Sequence, residues 1–197
     1  MQGRSFSDDS GNNVRVMDFI GSRSLYDEIR EMKLNHEQYY YTRLSSIMKK
    51  LIFCYEGIQM LHDNSLVHGD IRSDHILIDE VNDEFRWIDF DLYQNFDEYD
   101  VWLLGRVLHF TVGRGMNTIH AIENSGRFSP EILSSLQPTD IGWYYPHRIM
   151  NLKKLYPYIN SDLNDILMKF SVGAKVHYST VFELIQDLKK VIPEIPG

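Results

Sequence analysis

Apolar positions along this chain recur mostly at helical spacing. Leu44, Ile47, Leu51, Cys54, Ile58 and Leu61 stand three and four residues apart, which predicts a long helix over 36–64 with one buried stripe. Upstream, Leu25, Ile29 and Met32 repeat the pattern behind Ser24, a candidate N-cap. Near the end, Leu163, Ile166, Leu167 and Phe170 share one face over 162–170. Val181, Leu184, Ile185, Leu188 and Val191 do the same over 179–191. Residues 99–111 are apolar on nearly every side, the pattern of a helix buried all round.

Strand signals are few and short. Residues 14–20 alternate, 66–67 and 75–78 read as strand pieces, and 85–88 follow a polar turn at 81–84. Residues 1–13 are rich in Ser, Gly, Asn and Asp, the composition of a disordered leader. The stretch 113–158 has no regular period and carries clusters such as Gly142-Trp143-Tyr144-Tyr145-Pro146. The expectation is a mainly α fold with a small β-hairpin, one domain over 14–197 behind a leader.

Composition narrows the function classes. At 197 residues the chain can bury one good core. Its net charge of −8 argues against a general nucleic-acid binder, which needs a basic surface to displace counterions. No apolar run is long enough to span a membrane, and the polar start lacks a signal-peptide core, so no membrane association is expected. The single cysteine, Cys54, rules out an internal disulfide, and a cytoplasmic setting is the expected one.

Chemistry concentrates in one segment, LVHGDIRSDHILIDEVNDEFRWIDFD, residues 66–91. A loop carrying His68-Gly69-Asp70 enters one short strand, and an acidic cluster, Asp89-Phe90-Asp91, leaves the next. Carboxylates at the ends of neighbouring strands can face one cavity, where one positions a hydroxyl and the other holds a divalent metal. That arrangement suits phosphoryl transfer.

These residues resemble the protein-kinase-like superfamily. HGDIRSDHIL is similar to its catalytic loop and IDFD to its metal-binding Asp-Phe-Gly segment. Asp100-Val101-Trp102-Leu103-Leu104-Gly105 is similar to the Asp-x-Trp-x-x-Gly start of the buried helix in the lower lobe. The closing helices, SDLNDILMKFSVGAKVHYSTVFELIQDL, resemble the last two of many bacterial-type kinases. The likeness covers about residues 14–191, loosely over 113–158, and extends to the lower lobe alone. Residues 14–22 would be the last upper-lobe strand, hinge and turn.

The resemblance implies roles residue by residue. Asp70 would be the catalytic Asp, a turn-forming Asp binding backbone amides after Gly69 being the other reading. Arg72 would meet the transferred phosphoryl group or pair with Asp70 or Asp74. His75 stands where the family has a metal-binding Asn; as a ligand it suits Mn or Zn better than Mg, and packing at the start of a strand is the other reading. Asp89, with Asp91 in place of the family's Gly, would hold metal; a capping Asp89 is the alternative. His68 and Asp100 would be architectural, Asp100 bonding the loop backbone. Phe19 and Ile20, near Met17, would offer backbone groups to an adenine ring or simply end a core strand. The implied cofactor is ATP with Mg or Mn.

Within these 197 residues no segment matches the family's Gly-rich loop, phosphate-pairing Lys or orienting Glu, and only LYQNFDEY fills the place of the activation segment. Two classes of function follow. One is a kinase-like lobe with little or no autonomous activity, a binding or regulatory module meeting a protein partner or a second copy through its exposed upper face. The other is an ATP-dependent phosphotransferase, acting on a small-molecule hydroxyl or completed by a separate upper lobe.

Overall fold

The computed structural model describes residues 4–16, 19, 23–90 and 97–197, with the side chain of Asp97 excepted. The chain is mainly helical with two small antiparallel sheets. Among the described residues no helix is long and apolar enough to cross a membrane.

Strands β1 (Arg4–Ser7) and β2 (Asn13–Val16) pair antiparallel, with Phe6 opposite Val14 and Arg4 opposite Val16. A hairpin thus stands where composition suggests a disordered leader. The polar residues between the strands are turn formers: Asp8 Oδ1 accepts the amides of Ser10 and Asn12, at 2.9 and 2.8 Å, and Gly11 takes the left-handed region (φ +80°). The expected strand over 14–20 is seen as far as Val16. Met17, Ile20 and the turn at Gly21-Ser22 lie outside the described residues.

Ser24 caps α1 (Leu25–Glu31) by accepting the Asp27 amide, as its place before the apolar repeat suggests. The long helix expected over 36–64 is two. α2 (His36–Thr42) starts from a capping box of Asn35 and Gln38, and α3 (Leu44–Asp63) follows after Arg43, whose backbone leaves helical geometry at φ −129°. Thr42 Oγ1 donates to the Gln38 carbonyl at the break, a back-bond that bends helices.

A 3-10 turn (Ser73–His75) leads into β3 (Ile76–Asp79), which pairs with β4 (Glu84–Trp87) in the register Ile76–Trp87. Residues 66–67 form no ladder: the Leu66 amide bonds back to the Leu61 carbonyl at 2.9 Å, and the next two amides, of His68 and Gly69, go to the Asp100 carboxylate. Trp87 Nε1 donates to the Cys54 carbonyl at 2.8 Å and fastens this hairpin to α3. Cys54 is buried, and burial pushes its thiol up to about 12, an unreactive state.

Helix α4 (Asp97–Val112) is buried on nearly every side. From Asp100 to Val112 only Trp102 and Arg106 are not fully buried. It packs on α3, where Tyr55 donates to the Leu104 carbonyl at 2.8 Å. Gly105 is required there: a Cβ would lie 2.4 Å from the Phe170 ring.

The aperiodic stretch holds short helices, α5 (Ile119–Asn124), α6 (Pro130–Ser135) and α7 (Leu152–Leu155), with Thr118 and Ser129 capping the first two. Asp140 organises it by accepting from the Gln137 amide, Asn151 Nδ2 and Lys154 Nζ. Last come α8 (Ser161–Met168), capped by Asn160, and α9 (Val181–Val191), whose apolar face lies against α3 and α8.

Candidate functional site

The loop between α3 and the 3-10 turn is held from beneath by one carboxylate. Asp100 is fully buried; its Oδ2 accepts the His68 amide at 2.7 Å and its Oδ1 the Gly69 amide at 2.9 Å. His62, on the last turn of α3, places Nε2 3.0 Å from Oδ2. Charge-assisted bonds of this kind are about twice as strong as neutral ones. Gly69 bends the chain in the left-handed region (φ +81°) just before Asp70.

His68 is buried beneath this bend. Its ring stacks on Phe90 at 4.4 Å and meets the edge of Trp87 at 5.0 Å. Burial lowers its pKa against the opposing charge of Asp100, and its Nδ1 accepts the Asp70 amide at 3.4 Å.

Above the loop, Asp70, His75 and Asp89 converge. One ligand atom from each lies within 4.8 Å of the others. His75 Nδ1 is 3.0 Å from the Asp70 carbonyl and 3.4 Å from its carboxylate; Nε2 is 3.6 Å from Asp89 Oδ2. A carbonyl oxygen only accepts, so Nδ1 carries the proton, and in the neutral ring Nε2 is a lone pair aimed toward Asp89. A lone pair and a carboxylate facing each other are mutually repulsive; a proton or a cation between them removes the conflict. One imidazole and two carboxylates suit Mn or Zn better than Mg, which prefers oxygen alone. Among the described residues no backbone amide donates to the Asp70 carboxylate.

Arg72 turns aside. It makes two bonds to Asp74, at 3.0 and 2.6 Å, and that pairing raises the guanidinium pKa first, with Asp70 and Asp89 adding to it. Phe19 is 94% exposed. Ile20 and Asp91 lie outside the described residues. The sequence reading missed His62 as the second anchor of Asp100, although a histidine four residues before the loop's start at Leu66 was the available signal. It also passed over Arg106, a cation inside the most apolar helix, and Arg148.

Comparison of the chain with models of known protein families and with curated proteins found no match.

Proposed function

We propose that this chain is a protein-kinase-like lower lobe that holds a divalent cation on Asp70, His75 and Asp89, has little phosphotransfer activity of its own, and works as a binding or regulatory module. The observation that carries this reading is the convergence of those three side chains on a loop clamped by Asp100. A bound cation would supply positive charge for phosphate oxygens, ATP with Mn or Mg being the ligand the resemblance implies.

Weak autonomous activity follows from openness. The Asp70 side chain is 44% exposed and that of Asp89 76%, so water reaches both, whereas efficient phosphoryl transfer excludes it. The partner surface is the apolar one beside the amino-terminal hairpin. Phe6, Val14 and Val16 occupy one face of β1–β2 with Phe6 and Val16 exposed, and Phe19 follows. A two-stranded hairpin is marginal alone, which favours a protein partner or a second copy covering this face.

The second reading is an ATP-dependent phosphotransferase, with an upper lobe supplied by further sequence or another chain. The uncapped Asp70 carboxylate favours it, since that group would be free to orient a hydroxyl and accept its proton. Thermal denaturation with ATP and Mn or Mg tests the cation site. A ligand at 100 times its dissociation constant adds about 2.7 kcal/mol, a rise of roughly 5–10 °C for a chain of this size. The rise should vanish in Asp89→Ala. A midpoint indifferent to both metals overturns the cation reading, and robust Asp70-dependent transfer by the purified chain replaces the first reading with the second.

A further inference from the structure

Away from the acidic cluster, two arginines share one cavity wall with no carboxylate paired to either among the described residues. A cavity of about 320 Å³ opens between the Arg72–Asp74 turn and α4, with Arg106 and Arg148 on its wall. Arg148 is only 6% exposed. One of its amino groups donates to the Arg106 carbonyl at 3.1 Å, and its guanidinium lies 5.2 Å from the centre of the Tyr145 ring. The Arg106 guanidinium lies 5.5 Å from the same ring.

Among the described residues neither arginine has a carboxylate partner. The cavity's own carboxylate, Asp74, is occupied by both bonds from Arg72. Arginine is almost never fully buried unless paired, and removing a partner from a buried charge is strongly unfavourable. A carbonyl, the Tyr145 hydroxyl bonded to Arg106 and a shared aromatic face compensate only part of that cost. The two cations also repel each other: burial first and the Arg106 charge second bring the Arg148 pKa down to about 10. All this occurs in a chain whose net charge is −8.

An oxyanion supplies what the protein withholds, because the planar guanidinium matches a carboxylate or phosphate with two parallel bonds. Tyr26, Phe110 and Met116 add an apolar wall for a small organic body. We infer that this cavity is a binding site for a small organic oxyanion, anchored between Arg106 and Arg148. The inference stands on the cavity alone and does not require the cation site or any phosphotransfer.

The test is a titration of the full chain in EDTA with phenyl phosphate and, separately, benzoate, following the arginine side-chain Nε–H signals by NMR at constant ionic strength. Saturable shifts at Arg106 and Arg148 are expected from at least one probe. A stronger response to phenyl phosphate assigns the site to phosphate esters, and a stronger response to benzoate to carboxylates. Arg106→Gln, on a half-buried position, should weaken binding about tenfold or more, the loss of one charge-assisted contact. Lys189→Gln, on the far helix α9, should leave it unchanged. No saturable shift from either probe overturns the inference, as does equal weakening by both variants. Since EDTA removes metals, failure here leaves the cation reading standing, and Mn titration of the phosphate-free protein tests that reading separately.

Discussion

Asp100→Ala is the substitution whose consequence can be worked most directly from the structure. The carboxylate is fully buried and accepts two backbone amides, His68 and Gly69, with His62 Nε2 as a third neighbour. Deleting it leaves both amides without an acceptor, and each stranded donor costs about 1–3 kcal/mol. Breaking a buried charge network as a whole costs about 3–5 kcal/mol. A loss near 4 kcal/mol is therefore expected, a large share of the roughly 5–15 kcal/mol that holds an ordinary domain together. With a urea slope of about 2 kcal/mol per molar, the midpoint should fall by about 2 M. Asp100→Asn keeps one carbonyl oxygen for one amide but turns an NH2 toward the other, so about half that loss is expected. The assay is equilibrium urea denaturation followed by circular dichroism. A midpoint drop below about 0.3 M for Asp100→Ala would equal an ordinary surface substitution and refute the clamp.

Further outcomes follow from other sites. Gly105→Ala should cost about 1–3 kcal/mol by overpacking, because its methyl would meet the Phe170 ring at 2.4 Å; chemical denaturation reads this directly. Burial pushes His36 down from 6.5 to about 4 and His109 to about 3, so the unfolded chain binds protons that the fold refuses. Stability should therefore fall as pH drops below 6.5, by about 1.4 kcal/mol per pH unit per histidine, and His109→Gln should reduce the slope by about one proton. Burial raises Asp187, but bonds from Lys169, Lys190 and Tyr178 outweigh it and hold the carboxyl at about 2 against an ordinary 3.8. Its contribution is present above 3.8 and lost as pH falls through about 2, so the stability gap between the wild type and Asp187→Asn should close across that window.

Where short-range physics decides the outcome, the sequence was readable. Ser24 ahead of an apolar repeat foretold α1, and the stripes on α8 and α9 marked their buried faces. The turn at 81–84 between β-branched and aromatic runs placed the β3–β4 hairpin. Periodicity failed where a polar side chain intervened. The stripe from Leu44 to Leu61 runs through α3, yet nothing apolar announces the break at Arg43. Asp8 turned a polar run into a hairpin, and Asp140 ordered an aperiodic stretch through bonds to residues 11 and 14 positions away. At the site, Asp70, His75 and Asp89 were legible because the hairpin between them is local. Arg148 was not: it reaches Arg106 across 42 residues, and no local pattern reports such a meeting.

The same clamp has a kinetic side. Asp100 meets His62 and His68 across 38 and 32 residues, so the loop cannot settle until α4 has docked on α3. Contacts of that span carry a loop-closure cost that the helices they join do not, so the site is expected to form late in folding. A ligand held there should lengthen the lifetime of the folded chain while leaving its rate of folding almost untouched.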